Sequence, residues 1–427
     1  MASRYLIPFL VAMMLLTGVC NTLLTKYQTQ DNQCVRNCDD PDPKKRAYFE
    51  QPVLQTAQMF VGEMGCWLVV GLMSLYERYQ VRKNGGSATA GGAGYQAVDS
   101  SAPEDDATTD AASIHSTTAL NGNGQVKFAA TDENSVLRGF GILLLALPSI
   151  CDILGTTLMN AGLLLVAASI YQMTRGALVL FVGLFSVIFL HRHLYVFQWL
   201  SLGGVVLGVA IVGLAGAISP DTTTNASAIV SAAAADLGTD ALRVIIGVLL
   251  IAGAQIFTAT QFVLEEWILE RSTIEPIRVV GWEGLFGFGV TVLGMIVLHL
   301  TIGRTEAGQY GYFDMVEGWR QMVSDPRILV TSVLIMISIG GFNFFGLSVT
   351  RNVSATSRST IDTCRTLFIW LVSLGLGWET FKWLQVLGFA LLVYFTFVFN
   401  GIVKPPFKIL QQPRVEELLP EEPVEHL

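Results

Sequence analysis

The chain has 427 residues, of which 52% are hydrophobic and 14% are charged, and its formal net charge is −8. A soluble globular domain carries about 25% charged residues, so most of this chain is not built to face water. The composition indicates an integral membrane protein that crosses the lipid bilayer several times. The acidic balance and the lack of a long basic run argue against a nucleic-acid partner.

Apolar runs long enough to cross a bilayer recur along the chain. A spanning helix needs about 20 mostly apolar residues. Ten segments meet this requirement: 5–25, 54–76, 138–160, 164–190, 195–217, 243–264, 279–301, 328–350, 357–378 and 383–402. The first resembles a signal peptide in length, but only Arg4 is charged ahead of it and no small-residue cleavage site closes its apolar run. We expect it to remain as helix one.

Two polar segments interrupt the apolar runs. Residues 80–137, which include "NGGSATAGGAGYQAVDSS", are rich in Gly, Ser, Ala and Thr and predict a disordered linker. Residues 218–242 form a shorter connection near the middle of the chain. The predicted organisation is therefore helices one and two with their loop (1–79), the linker (80–137), helices three to five (138–217), the middle connection (218–242), helices six to ten (243–402) and an acidic tail (403–427).

The two halves carry similar stretches around an arginine. When Arg175 and Arg365 are superimposed, "SIYQMTRGALVLFVGLFSV" and "STIDTCRTLFIWLVSLGLG" share a serine six residues earlier. Further on, after a gap, Gly204 and Gly388 each follow a tryptophan by five residues. Five helices per half is an odd number, so the second half would lie upside down relative to the first. The sequence predicts an all-α integral membrane protein with ten transmembrane helices in two inverted five-helix repeats.

Three stretches resemble a known family. The ten-helix plan, "TGVCNTLLTKY" closing helix one, "QMTRGALVLFVGLFSVIFL" in helix four and "LFIWLVSLGLGWE" in helix nine are similar to the drug/metabolite transporter superfamily, and within it to the F branch of solute carrier family 35. The resemblance covers nearly all the chain except the linker and the termini. It implies a central cavity, alternating access and a cargo such as a nucleotide-sugar, a phosphorylated sugar or an organic cation. The turn "HRHLYVFQ" departs from the family because it has no acid, whereas "GWETFKWLQ" keeps Glu379.

Ionisable side chains within the spans are the candidate site residues. A charge at the bilayer centre costs at least about 2.5 kcal/mol on insertion scales, so it normally faces a bundle interior or a wet cavity. On the predicted spans, Arg175 and Arg365 lie roughly 12 to 17 Å from opposite faces, near the midplane. The candidate substrate-binding residues are Arg175, Arg365, Glu63, Asp152, Glu283 and Asp362, with the polar neighbours Asn21, Tyr171, Gln172, Thr174 and Asn343.

Each arginine has two possible partners. Arg365 lies three residues after Asp362 and could form a local bridge with it instead of binding a ligand. Arg175 has no acid within a helical turn. It therefore contacts either a substrate anion, which a planar guanidinium binds through two hydrogen bonds, or an acid on another helix, Asp152 or Glu63. The neutral polar residues could orient a ligand or hold helices together.

Transport of a small anionic or nucleotide-sugar-like solute by alternating access is the predicted function. An enzyme is not indicated, because HExxH is absent and "GLFSV" lacks the second glycine of a nucleophile motif. A channel is not indicated either, because no filter or repeated charge ring is visible. A receptor or scaffold that retains a transporter fold is the alternative. No cofactor is predicted, and Gly204 and Gly208 fit either helix packing or a homodimer.

Three features favour cytoplasmic termini. More Lys and Arg residues lie on the side that holds the termini and the linker. The other side holds Cys34 and Cys38, predicted to form a disulfide, and a glycosylation sequon at Asn225; both modifications occur in a lumen. A second sequon, at Asn352, falls at the cytoplasmic edge. "GYQAV" at 94–98 matches a tyrosine sorting signal, so the predicted location is an endomembrane, that of the lysosome or vacuole or of the Golgi.

Overall fold

A computed structural model describes most of the apolar segments of the chain. The described residues are 3–29, 34–36, 38, 47–49, 51–85, 139–163, 165–166, 171, 174–218, 237–305, 308, 311–378 and 381–404. Most of the predicted linker, most of the middle connection and the tail beyond residue 404 lie outside this range. Gln172 and the sequon asparagine Asn225 also lie outside it.

The described part of the chain is helical apart from one short antiparallel ribbon. Its elements are α1 (Ser3–Thr29), β1 (Cys34–Arg36), β2 (Ala47–Tyr48), α2 (Pro52–Gly85), α3 (Ala146–Leu163), α4 (Leu178–Phe189), α5 (Val196–Ile218), α6 (Leu237–Glu270), α7 (Pro276–Leu298), α8 (Met315–Ser324), α9 (Pro326–Asn352), α10 (Ala355–Gly375) and α11 (Trp383–Phe399). A 3₁₀ segment, Gly139–Leu145, leads into α3, and a π-helical turn, His299–Gly303, extends α7.

Among the described residues, seven segments are long and apolar enough to cross a membrane: Tyr5–Gln28, Pro52–Gln80, Gly141–Leu163, Val196–Ala215, Ile245–Glu270, Pro276–Gly303 and Pro326–Asn352. Helices α4 and α11 are apolar but shorter. The first half of α10, "ATSRSTIDTCRT", is polar, and only its second half is apolar. The prediction of a multi-pass, all-helical membrane protein is confirmed.

Several helices start and stop where local chemistry requires it. Helices α7 and α9 each begin with a proline, which has the backbone angle of a helix and no N–H that would lack a partner there. The Asp325 side chain accepts a hydrogen bond from the N–H of Arg327 at 2.8 Å, and Ser354 caps α10 in the same way through Ser357. The turn between α9 and α10 is only two residues long, because α9 ends at Asn352 and α10 begins at Ala355. It holds the two helices close together.

Helices from the first and second halves of the chain pack against each other in pairs. Helix α1 lies along α9 and α3 lies along α6, while α2 packs against α7 and α5 against α11. Helix α10 contacts α1 and α4, and α4 also contacts α6. Apolar clusters fill these contacts, for example Val179, Leu202 and Leu392 between α4, α5 and α11. The charged residues described below lie between these pairs.

Glycines allow a close approach of two helices at the crossing of α5 and α11. A Cβ atom on Gly208 would lie 2.9 Å from the carbonyl oxygen of Gly388, and one on Gly388 would lie 2.8 Å from the carbonyl oxygen of Gly208. Backbone atoms cannot move aside as the end of a side chain can, so the crossing requires glycine on both helices. Gly204 faces Phe395 of the same α11. Both Gly204 and Gly208 therefore serve packing within the chain.

We predict that Gly208→Ala destabilises the protein, whereas Gly203→Ala does not. The added methyl group at Gly208 meets backbone, and overpacking of this kind costs about 1 to 3 kcal/mol. A Cβ atom on Gly203 meets nothing within 4 Å, and alanine is the better helix former. Unfolding temperatures of the detergent-solubilised variants measure both effects. An equal loss in the two variants would show that the crossing is not the tight point.

Candidate functional site

Four carboxylates from both halves of the chain face one another inside the bundle. They are Glu63 on α2, Asp152 on α3, Glu265 on α6 and Glu283 on α7, which we call the acidic cluster. All four lie within electrostatic range of one another and of Arg358 on α10. Glu63, Glu265 and Glu283 are buried, and Asp152 is partly exposed. The structure therefore brings together three of the sequence-predicted residues, Glu63, Asp152 and Glu283.

Arg358 and Glu265 form the most buried ion pair among the described residues. The Nη1 atom of Arg358 donates to Oε2 of Glu265 at 2.5 Å, and the two side chains are 2% and 1% exposed. The guanidinium also lies 4.2 Å from the ring centroid of Phe262, where the ring face attracts a cation. Its Nε atom is buried and makes no hydrogen bond. One carboxylate of the acidic cluster is thus paired with a full positive charge.

Sequence reasoning missed this pair because of small errors at the helix ends. The predicted sixth span stopped at residue 264, one residue before Glu265, and the ninth began at 357, which left Arg358 at its edge. A signal was present: Arg358, Asp362 and Arg365 are spaced four and three apart, which places them on one face of a helix. A charged stripe on a membrane helix must face the interior of the bundle.

Arg175 has no anionic partner among the described residues. It is partly buried and helical, and no hydrogen bond or ion pair joins it to a described residue. Neither of the two acids predicted as its alternative partners bonds to Arg175. Glu63 accepts a hydrogen bond from Nδ2 of Asn343 at 2.6 Å, and the Asp152 carboxylate is hydrogen-bonded to no described residue. Arg175 does lie within electrostatic range of Arg365.

Arg365 forms the local bridge that its spacing allows. Its Nη2 atom lies 3.3 Å from Oδ2 of Asp362, and its guanidinium lies 4.8 Å from the ring centroid of Phe342. The side chain passes so close to α1 that a Cβ atom on Gly18 would lie 2.8 Å from its Cδ atom. The Nε atom of Arg365 and the Oδ1 atom of Asp362 are nevertheless buried without a hydrogen-bond partner. The bridge uses only part of the hydrogen-bonding capacity of either group.

The remaining predicted polar residues divide into two groups. Asn21 on α1 accepts a hydrogen bond from Ser338 of α9 at 3.3 Å, and Asn343 joins α9 to α2 through Glu63. Both asparagines thus link helices, as their alternative interpretation had it. Tyr171 is partly buried and lies within electrostatic range of Arg365, and Thr174 is partly buried beside Arg175.

The predicted covalent sites are described only in part. Cys38 is disulfide-bonded, while the side chain of Cys34 lies outside the described residues. Four other cysteines, Cys20, Cys66, Cys151 and Cys364, are free thiols. The disulfide between Cys34 and Cys38 therefore stays a prediction.

Polar contacts tie both ends of the bundle. At one end, Arg192 donates to Glu266 at 3.2 Å and also to Glu270, and Oε2 of Glu266 accepts the N–H of Ala355 at 3.0 Å. These contacts join the α4–α5 turn, the end of α6 and the start of α10. At the opposite end, the Gln28 amide donates to Ser332 at 2.8 Å, and Gln58 donates to the Ser332 carbonyl at 3.1 Å, which joins α1, α2 and α9.

Comparison with known proteins gives matches over most of the chain. Residues 121–318 match the nucleotide-sugar transporter family. An uncharacterized protein of Schizosaccharomyces pombe is 36% identical over 92% of this chain and 97% of its own length. Human solute carrier family 35 member F6 is 34% identical over 93% of this chain and 89% of its own length, and the mouse protein is 32% identical over 95% and 91%.

One solved crystal structure of a protein shares the overall fold. It covers 93% of this chain and 98% of its own, with 12% sequence identity and a TM-score of 0.51. At this identity the likeness concerns the fold alone.

We predict that Arg358→Met strongly destabilises the protein and that adding Glu265→Gln restores much of the loss. The single change leaves a buried carboxylate without its cation, which costs about 3 to 5 kcal/mol, whereas the double change leaves no unpaired charge. Arg278→Met is the matched control, because its pair with Glu275 is 51% and 64% exposed and contributes about 1 kcal/mol or less. Unfolding temperatures in detergent report all three. A double variant as unstable as the single one would contradict the prediction.

Proposed function

The chain belongs to solute carrier family 35, and on this basis we propose that it is a secondary transporter that moves a small anionic organic solute by alternating access. The members of this family are transporters rather than enzymes. A nucleotide-sugar or a related phosphorylated solute is the proposed cargo class, because it carries the phosphate groups that arginine binds well. The observation that carries the proposal is that two arginines within the bundle, Arg175 and Arg365, lie within electrostatic range of each other.

The helix contacts support two inverted five-helix repeats. Let the first five apolar helices, α1 to α5, be exchanged in order with α6, α7, α9, α10 and α11. The α1–α9 contact then becomes the α6–α3 contact, and the α1–α10 contact becomes the α6–α4 contact, and all four exist. The α2–α7 and α5–α11 contacts are exchanged with themselves. This pattern is expected of two halves related by a two-fold axis in the membrane plane.

A second sequence correspondence supports the same repeat. Helix α2 contains "VGEMG" at residues 61–65 and α7 contains "VGWEG" at residues 280–284. Each has one glutamate, Glu63 or Glu283, between two glycines. Each motif has a glycine at a close helix contact: a Cβ atom on Gly62 would lie 2.2 Å from the carbonyl oxygen of Met336, and one on Gly284 would lie 2.7 Å from Cβ of Glu63. The exchange of α2 with α7 thus also relates these two motifs.

The arginines are placed to receive an anion. Arg175 and Arg365 belong to corresponding segments of the two proposed repeats and lie within electrostatic range of each other. Two guanidinium groups repel each other in a low-dielectric interior unless an anion lies between them. Asp362 neutralises Arg365 in part, and Arg175 has no anionic partner among the described residues. A phosphate group of the cargo would supply the missing negative charge.

We predict that purified protein in liposomes takes up an anionic solute and that Arg175→Ala lowers uptake at least about tenfold. A charge-assisted contact contributes about 1.5 to 3 kcal/mol, and 1.4 kcal/mol is a factor of about ten. The solutes to be compared are UDP-glucose, GDP-mannose, glucose 6-phosphate and an organic cation such as tetraethylammonium. Arg327→Ala, which removes an exposed arginine at the start of α9, is the control and is expected to transport as the unaltered protein does.

The variants also separate ligand binding from a structural role. Because Arg175 forms no ion pair with a described residue, Arg175→Ala without ligand is expected to unfold at nearly the same temperature as the unaltered protein. A large loss of stability that Asp152→Asn restores would show instead that Arg175 is a structural partner of Asp152. Saturable uptake of only the cation would overturn the anionic cargo class. Uptake of none of the solutes, by protein that binds one of them, would favour the receptor or scaffold alternative.

We place the termini in the cytoplasm and the protein in an endomembrane, of the lysosome or vacuole or of the Golgi. In this orientation the sequon at Asn225 is luminal and the one at Asn352, at the end of α9, is cytoplasmic. We predict that the Asn225→Gln variant loses a glycosidase-sensitive increase in mass and that Asn352→Gln changes nothing. Since a glycan is added only in the lumen, glycosylation at Asn352 alone would reverse the orientation.

A further inference from the structure

The acidic cluster lies where the two proposed halves of the transporter meet. Glu63 and Asp152 come from the first half, and Glu265 and Glu283 come from the second. Helices α2 and α7 are in contact next to Glu63 and Glu283, since a Cβ atom on Gly284 would lie 2.7 Å from Cβ of Glu63. Any change in the charge of the cluster therefore changes the electrostatic energy of the contact between the halves.

The positive charge near the cluster does not balance it. Arg358 is the one cation that acts on Glu283 among the described groups, and it is already bonded to Glu265. Within the part of the chain that the structure describes, Glu63 has only the Asn343 amide as a donor, and the Asp152 carboxylate has none. The Oε1 atom of Glu283 is buried without a hydrogen-bond partner, on a side chain that is 6% exposed. Glu63, Asp152 and Glu283 thus form no ion pair with a described cation.

The described groups that act on Glu283 come from four helices packed around it. The groups that act on Glu283 are Glu63 from α2, Asp152 from α3, Glu265 from α6 and Arg358 from α10. The 3₁₀ segment Gly139–Leu145 contains no titratable residue. Helix α9 carries its two charges at its ends, and both of those arginines are exposed.

A proton fits the site better than a metal ion does. An isolated buried carboxylate is so costly that it normally takes up a proton instead. A metal ion needs several oxygen, nitrogen or sulfur ligands converging within bonding distance. Within the described residues, no group of three or more His, Cys, Asp or Glu side chains is arranged to hold one. The unpartnered Glu283 oxygen can carry the hydrogen of a neutral carboxylic acid.

We propose that the acidic cluster is a proton-binding site, with Glu283 as the main acceptor and Glu63 as its counterpart in the other half. The proton enters from water, bonds to a carboxylate oxygen and leaves the group neutral, so no other bond forms or breaks. While the proton is bound, α2 and α7 can stay in contact. When it leaves, the like charges of Glu63 and Glu283 repel across the contact between the halves.

This inference extends the proposed transport function by naming the coupling ion. Because the proton is bound between parts that must move against each other, its binding and release would favour opposite states of the alternating-access cycle. The coupling step rests on the proposed function, whereas proton binding itself is a property of the protein alone. The two can therefore fail separately.

Infrared spectroscopy tests the proton directly in the unaltered protein. A protonated carboxyl group has a C=O stretching band that an ionised one lacks, and the band shifts in heavy water. We expect such a band near neutral pH, reduced in Glu283→Gln and unchanged in Glu275→Gln. Glu275 lies at the start of the same α7 helix, and its side chain is 64% exposed. Absence of the band from the unaltered protein would overturn the proposal.

The pH dependence of stability gives a second, independent measurement. If the folded state holds a proton that the unfolded chain releases, the unfolding temperature falls as the pH rises from about 5 to about 8. We expect Glu283→Gln to flatten this slope by the equivalent of about one proton, and Glu63→Gln to change it as well. Glu275→Gln should keep the slope of the unaltered protein. Equal slopes in all four proteins would overturn the proposal even if one variant folds poorly.

The outcomes separate this proposal from the transport function. Suppose that the carboxyl band and the pH dependence of the unfolding temperature both disappear in Glu283→Gln, but the unaltered protein transports none of the tested solutes. The proton site would then be supported and the proposed transport function refuted. Solute uptake by a protein that shows neither the carboxyl band nor the pH-dependent unfolding temperature would support the transport function and refute the proton site.

Discussion

The rest of the structure depends on one constraint: a charge inside a bilayer-embedded bundle needs a partner of opposite charge, a hydrogen-bond donor or a proton. The Arg358–Glu265 pair meets this requirement with opposite charges brought together from α10 and α6. Glu63 meets it with an amide from α9, and Arg365 meets it with an acid three residues away on its own helix. The first two solutions each join a different pair of helices, whereas the third lies within α10. The buried charges therefore help to decide which helices are neighbours as well as what the interior can bind.

Close packing and buried charge reinforce each other here. Glycines bring α2 near α7 and α9, where a Cβ atom on Gly62 or Gly284 would collide with backbone. The same approach places Glu63 beside Glu283 and within reach of Asn343. Lipid gives helices no hydrophobic reason to associate, so small residues and polar bonds must supply the association. The polar residues of this bundle therefore serve packing and chemistry together.

The sequence predicted the class of structure and most of the charged residues, and it failed where tertiary contacts decide. Hydropathy identified the seven described segments that can cross a membrane, because each must bury about 20 residues in lipid, and intramembrane charge identified Glu63, Asp152 and Glu283. Glu265 and Arg358 were missed because helix ends cannot be read to within one or two residues. The partners of these charges could not be predicted either, because they are far apart in sequence. Asn343 is 280 residues away from Glu63 along the chain, and only the fold brings them together.

The polar first half of α10 has a consequence for how the chain enters the membrane during synthesis. This segment buries Arg358 and a run of hydroxyl groups, of which Ser359, Thr360 and Thr363 bond back to carbonyls of their own helix. The arginine has no such local partner, since Glu265 lies 93 residues earlier in the chain. The polar half of α10 is therefore costly to place in lipid alone, and pairing with Glu265 of α6 offsets the cost of its buried charge. Since α6 precedes α10 in the chain, translation supplies this carboxylate before the arginine that needs it.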